Sequence, residues 1–125
     1  MLDDCNVMLV EDEALLALDL SLTLEDEGAT VIGPFATVDS ALSACDTVDL
    51  AVLDVDLCGA KVFPVADRLQ AVGKPFLFHT GRADLRALVD RYGSDALVLV
   101  KPARGTEIVR ILTSLRDAAR YDLAI

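Results

Sequence analysis

Short apolar runs alternating with helix-length segments predict a single α/β domain, a parallel five-stranded sheet covered by helices on both faces. Three observations carry this expectation. The runs are about four to eight residues long and apolar almost throughout, as strands buried on both faces are. No linker, internal repeat or low-complexity segment interrupts the five βα units. The chain's 125 residues are 54% hydrophobic, with a mean hydropathy of +0.46, which suffices for one proper core and is too short for a second domain.

The first strand covers about 6 to 10 and runs into Glu11-Asp12. The segment from about 13 to 27 follows. Its leucines at 16, 18, 20, 22 and 24 alternate as in a strand, but its length and the Gly28 that ends it decide for a helix, with Gly28 at C′. Ala17, Leu20 and Leu24 form its expected core face. Ala29-Thr30-Val31-Ile32-Gly33-Pro34 is the second strand, stopped by Gly-Pro. Thr37 is the expected N-cap of a short helix reaching Cys45. The third run, Leu50-Ala51-Val52-Leu53, ends on Asp54. A loop through Gly59 then leads to a helix at about 61 to 72, where Pro64 is tolerable only in a first turn.

Gly73-Lys74-Pro75 opens the fourth strand, Pro75-Phe76-Leu77-Phe78-His79, which ends on Thr80-Gly81. Residues 82 to 92 read as a helix with Leu85, Leu88 and Val89 on its apolar side and Arg82, Arg86 and Arg91 exposed. The fifth strand, Ala96-Leu97-Val98-Leu99-Val100, runs into Lys101-Pro102. The last helix, about 105 to 120, places Ile108, Ile111, Leu112, Leu115 and Ala119 on one stripe. Arg104, Arg110, Arg116 and Arg120 lie off it.

In an open parallel sheet the ligand crevice lies beyond the carboxyl ends of the strands. The flavodoxin-like strand order 2-1-3-4-5 sets strand one beside strand three, and so Glu11-Asp12 beside Asp54, at the switch point of the topology. Thr80 and Lys101 end the next two strands. Carboxylates crowded in this way need a cation, since like charges about 4 Å apart repel by ~4 kcal/mol at an effective dielectric near 20. Hard oxygen donors select Mg²⁺ or Mn²⁺. An aspartate beside such a metal can attack phosphorus, and the Thr80 hydroxyl and Lys101 ammonium can neutralise the transferring oxygens. One acidic residue at a strand end is ordinarily just a solvated terminus. Four strands ending on functional side chains, in the right order, point to phosphoryl transfer onto Asp54.

Bulk properties exclude several classes. The net charge of -10 argues against nucleic acid and anionic membrane as partners. No run approaches the roughly 20 apolar residues of a membrane span. The acidic start, Met1-Leu2-Asp3-Asp4, is neither a secretory nor a mitochondrial leader. Cys5, Cys45 and Cys58 form no metal or disulfide pattern, so free thiols in a reducing cytoplasm are expected. Cys58, four residues past Asp54, reads as loop filler ahead of a redox input. His79 alternates with Thr80 along a strand, which favours a structural or surface histidine over a catalytic base. Gly81 is expected where a side chain would crowd the mouth of the phosphoryl site.

On these residues the chain resembles the receiver domain of two-component response regulators over essentially its whole length. Glu11-Asp12 is similar to the family's acidic pair, Asp54 in Leu-Asp-Val-Asp-Leu to its phosphoacceptor, Thr80 to its switch hydroxyl and Lys101-Pro102 to its Lys-Pro pair. The resemblance implies a cis peptide at Lys101-Pro102. It implies Mg²⁺ held by Asp12, Asp54 and the main-chain carbonyl of Asp56, with Glu11 acting through water. It implies a protein that catalyses only its own phosphorylation and dephosphorylation, fed by a sensor histidine kinase or histidine phosphotransfer protein. Receivers usually carry an aromatic three residues before the lysine; here that position is Val98. Pro75-Phe76-Leu77-Phe78-His79-Thr80-Gly81 instead resembles the signature of the FAT GUY receivers, largely stand-alone regulators tied to HWE or related histidine kinases. His79 and Arg82 depart from it. The switch region is then Thr80, Gly81, Arg82 and Val98, and the Asp56 carboxylate either influences dephosphorylation or is a solvated loop group.

No output domain is expected after the last helix, so the chain would signal by binding or act as a phosphate sink. Two alternatives stand beside this reading. Asp54-Val55-Asp56 matches the Asp-x-Asp nucleophile pair of haloacid-dehalogenase-like phosphatases, and a non-phosphorylated pseudo-receiver is the other. Charge adds a further expectation. Residues 1 to 60 hold 14 of the 21 acidic residues and no Lys or Arg, whereas all 11 basic residues lie in 61 to 125. Seven of them, leaving out Lys101, fall on the 82 to 120 face, which is expected to dock an acidic effector or a second copy.

Overall fold

Each of the five apolar runs forms a strand in the computed structural model, which describes residues 1–124. The order is β1 (Asn6–Val10), α1 (Ala14–Asp26), β2 (Thr30–Phe35), α2 (Val38–Leu42), β3 (Leu50–Leu53), β4 (Asp56–Leu57), β5 (Ala60–Lys61), α3 (Phe63–Ala71), β6 (Phe76–Thr80), a 3-10 turn at Arg82–Asp84, α4 (Leu85–Tyr92), β7 (Val98–Val100) and α5 (Gly105–Ala124). The main sheet runs β2-β1-β3-β6-β7, all pairs parallel. With the small β4–β5 hairpin set aside, this is the flavodoxin-like order 2-1-3-4-5.

Strand alternation sorts the core into two layers. Met8, Val10, Ala51, Leu53 and Phe78 meet Ala41, Val65, Ala66, Leu69 and Leu88 of α2, α3 and α4. Val7, Leu9, Val52 and Leu77 meet Leu20 and Leu24 of α1 and Ile108 and Leu112 of α5. Both layers exclude solvent, and each fully buried Leu, Val or Phe contributes about 1.5–3 kcal/mol. The strands therefore stay fixed while their carboxyl ends carry the polar groups.

Several local expectations hold. α1 ends in a Schellman motif: Gly28 N–H donates to the Glu25 carbonyl at 2.9 Å, and Ala29 N–H to that of Leu24 at 3.1 Å. Ala17, Leu20 and Leu24 face the core, while Leu15, Leu18 and Leu22 are 79%, 56% and 55% exposed. Thr37 caps α2 by accepting from Ser40 N–H at 3.3 Å. Pro64 sits in the first turn of α3.

Other expectations need correction. Gly33-Pro34 does not stop β2, which continues to Phe35 through a register irregularity beside Met8 and Val10. An edge strand tolerates proline because its outward N–H has no ladder partner to lose. Gly33 is required there: its φ is +110°, and a Cβ would lie 2.8 Å from the Leu9 carbonyl. The loop after Asp54 contains the β4–β5 hairpin, whose two turn residues, Cys58 and Gly59, have φ of 51° and 88°. Positive φ at both positions is what a tight two-residue hairpin turn demands. On α4, Val89 is exposed and Tyr92 takes the inward place, packed on Phe78 with ring centroids 5.3 Å apart. Residues 82–84 form a 3-10 turn before the α-helix begins.

Candidate functional site

The carboxyl ends of β1, β3, β6 and β7 deliver the expected groups to one place. Asp54, the residue after β3, is 8% exposed, and its N–H donates to the Val10 carbonyl at 2.9 Å, which locks it to the end of β1. Lys101, just past β7, is fixed by its N–H to the Thr80 carbonyl at 2.8 Å. Its ammonium lies 3.0 Å from Asp54 Oδ2 and 2.9 Å from Glu11 Oε1. Glu11, Asp12 and Asp54 each bring a carboxylate oxygen to within 4.8 Å of the others. The Lys101–Pro102 peptide is cis, as expected, and so is Gly33–Pro34.

The electrostatics follow from this packing. Burial drives the Glu11 carboxyl up to about 7 against the pull of Lys101, with Asp54 adding to the rise. Burial works against the Lys101 ammonium, but the bonds to Glu11 and Asp54 outweigh it and raise the group. Asp12 lies at the rim, its carboxylate more open than those of Glu11 and Asp54. Burial would raise it slightly, yet the Cys58 N–H, donating at 2.9 Å, and the Cys58 thiol hold it below the usual carboxylate range. The converse applies to Cys58, whose thiol at 3.5 Å from Asp12 Oδ2 is pushed up by that carboxylate. A thiol held protonated is a poor redox nucleophile, in line with the loop-filler reading.

Three oxygen-bearing groups within 4.8 Å fit a hard divalent cation such as Mg²⁺ or Mn²⁺. Glu11, Asp12 and Asp54 would hold it. The Asp56 carboxylate is not part of this cluster: it lies on β4, half exposed, 2.5 Å from Lys61 Nζ. Any contact from Asp56 to the cation would come from its backbone carbonyl. The same placement weakens the Asp-x-Asp phosphatase alternative, which needs both carboxylates in one site.

Thr80 is 1% exposed, but its hydroxyl is turned to the 3-10 turn, donating to Asp84 Oδ2 at 2.9 Å. Asp84 is in turn 3.6 Å from Lys61. Sequence reasoning missed both partners; a carboxylate four residues past Thr80, opening a helix, was the available signal. A Cβ at Gly81 would meet no protein atom within 4 Å among the described residues, so packing within the chain does not demand glycine there. Arg82 is exposed and Val98 half-buried. With no aromatic at 98, Phe63, Phe76, Phe78 and Tyr92 form a cluster of tilted and edge-on rings between α3, β6 and α4.

His79 is 1% exposed, so it is buried and not a surface group, and neither ring nitrogen has a hydrogen-bond partner among the described residues. Strand alternation puts it on the Leu77 side of β6, away from Thr80. On the 82 to 120 segment, Arg86, Arg91 and Arg116 are paired with Asp90, Asp67 and Asp117. Part of the expected basic face is thus neutralised within the chain.

No family model matches the chain, and no curated protein does. Solved structures do. The chain is similar to a response regulator receiver protein from Sinorhizobium medicae WSM419, at 24% identity over 94% of this chain and 98% of that one, TM-score 0.82. It is similar to the signal receiver domain of a modulated diguanylate cyclase from Desulfovibrio desulfuricans G20, at 27% identity over 96% and 99%, TM-score 0.83. A CheY-like receiver domain protein from Methanospirillum hungatei JF-1 matches at 20% identity over 94% and 98%, TM-score 0.82. The fold is that of receiver domains.

Proposed function

We propose that this chain is a phosphorylatable receiver, a single-domain response regulator that takes a phosphoryl group onto Asp54 and signals by binding or drains phosphate. The observation that carries this is Asp54 itself: a nearly buried carboxylate 3.0 Å from the Lys101 ammonium, within 4.8 Å of two further carboxylates. An Asp54 oxygen forms the bond to phosphorus as the bond from phosphorus to the donor's leaving group breaks. Lys101 stays in place to donate to a phosphoryl oxygen, and Thr80, at the next strand end, supplies a second donor once its hydroxyl turns. A bound Mg²⁺ or Mn²⁺ would neutralise the remaining charge on the phosphoryl oxygens.

The partner in this reading is a sensor histidine kinase or phosphotransfer protein. Its support is the row Leu15, Leu18 and Leu22, exposed at helical spacing on α1 next to Glu11 and Asp12. A helix presenting a phosphohistidine to Asp54 would cover that row. The Pro-Phe-x-Phe-x-Thr-Gly run and the valine at 98 favour the FAT GUY subfamily and its kinases. A cytoplasmic place, and an effector or second copy on the 82 to 120 face, belong to the same proposal. Among the described residues, no helix is long and apolar enough to cross a membrane.

Intact mass spectrometry tests it. Wild-type protein incubated with Mg²⁺ and a small phosphodonor should gain one phosphoryl adduct that disappears in Asp54→Asn and in EDTA. No adduct from small donors or from a kinase panel would turn the reading into a non-phosphorylated binding module. Rapid hydrolysis of many phosphate esters would favour a phosphatase.

A further inference from the structure

The Thr80 hydroxyl is committed elsewhere. It donates at 2.9 Å to Asp84 Oδ2, and Asp84 is held from its other oxygen by Lys61 at 3.6 Å. Lys61 also lies 2.5 Å from Asp56 Oδ1. The Asp84 side chain is only 15% exposed, so water competes poorly for its oxygens. Its N–H closes the 3-10 turn on the Gly81 carbonyl at 3.2 Å. One chain of contacts therefore links Asp56 and Lys61 on the β4–β5 hairpin to Asp84 and Thr80 at the end of β6.

Resting on the phosphoacceptor reading of Asp54, we propose that Asp84 and Lys61 are positioning residues for Thr80: they latch its hydroxyl away from Asp54 and set the fraction of molecules ready to receive a phosphoryl group. The reason is competition for one proton. A threonine hydroxyl has a single hydrogen to donate, so it serves either the Asp84 carboxylate or a phosphoryl oxygen on Asp54. Moving to the phosphoryl group leaves a mostly buried carboxylate short of a donor, and Lys61, which holds Asp84 in place from the hairpin, keeps that cost on the release of Thr80. The hairpin after Asp54 and the turn that opens α4 are thereby coupled.

Two measurements test this. The first reads the Thr80 side-chain rotamer by three-bond NMR couplings, without phosphorylation. Wild type should show one rotamer and Asp84→Ala an averaged set. A single unchanged rotamer in Asp84→Ala overturns the latch whether or not Asp54 takes phosphate. The second reads the rate of Asp54 phosphorylation by a small donor. Asp84→Ala should speed it roughly tenfold or more, the scale of one net hydrogen bond to a charged group. Asp84→Asn keeps an acceptor oxygen and should fall between the two. Lys61→Met should act in the same direction as Asp84→Ala, but less. The acceleration must vanish in a Thr80→Val background, because the effect runs through that hydroxyl. An equal acceleration with valine at 80 would make Asp84 merely structural and overturn the proposal. Absence of any adduct in the wild type would instead strike the phosphoacceptor reading, with the rotamer measurement still deciding the latch.

Discussion

His79 places an imidazole with two unpartnered nitrogens in the packed layer between the sheet and the α1/α5 side, at 1% exposure. A buried polar group without a partner costs about 1–3 kcal/mol in desolvation. His79→Leu removes that cost with a side chain of comparable reach, so the variant should be more stable at pH 7.5 by about 1–3 kcal/mol. For a domain of this size, that corresponds to a rise of roughly 3–12 °C in Tm. The sign with pH is also fixed. Burial first, and then the Lys101 charge, push the imidazole below its ordinary value of 6.5, so the folded protein keeps it neutral. The unfolded chain takes up a proton as pH falls through 6.5, and wild-type stability drops accordingly. Between pH 7.5 and 5.5 the loss specific to this group is at most about 1.4 kcal/mol. Urea denaturation of both proteins at the two pH values, with matching m-values, reads the difference. The gap should widen toward pH 5.5, while phosphorylation of Asp54 persists in the variant. A variant no more stable at pH 7.5, with the same pH slope as the wild type, would mean that the ring has a partner and would refute the argument.

Further outcomes are expected. Tyr92 donates to Asp67 at 2.9 Å, and burial first, with Asp67 added, pushes its phenol up to about 12. Its contribution to stability is therefore complete below pH 10 and is lost as pH rises from about 10 to about 12. Ultraviolet titration should show a late phenolate step that Tyr92→Phe removes; ionisation of Tyr92 near 10 would contradict the packing argument. Leu18→Glu, in the exposed row of α1, should slow transfer from a histidine kinase tenfold or more, on the scale of a lost apolar anchor. It should leave phosphorylation by a small donor unchanged. Equal transfer from the kinase would show that partners approach from elsewhere.

The sheet was legible because its strands are buried on both faces, which leaves a continuous apolar run such as Leu50–Leu53 as its mark. The site was legible for a related reason: polar residues directly after such runs lie at the carboxyl edge, where Glu11, Asp54 and Lys101 do meet. What escaped was decided by side-chain direction and local turns. Val89 and Tyr92 are both apolar enough for the inner side of α4, and only packing on Phe78 selects the tyrosine. The hairpin around Cys58 carries a non-glycine residue at positive φ, which composition does not announce. The Thr80–Asp84 bond depends on a 3-10 turn where periodicity suggested an α-helix from the start.

The shape of β2 has a consequence for how these molecules tolerate one another. With 54% hydrophobic residues, the chain would be exposed to fibre-like association wherever a sheet margin offered an unbroken row of donors and acceptors. One margin is β2, where Pro34 lacks an N–H and the register slips beside Val10. The other is β7, only three residues long. Neither margin offers a long unbroken template on which a neighbour can extend the sheet.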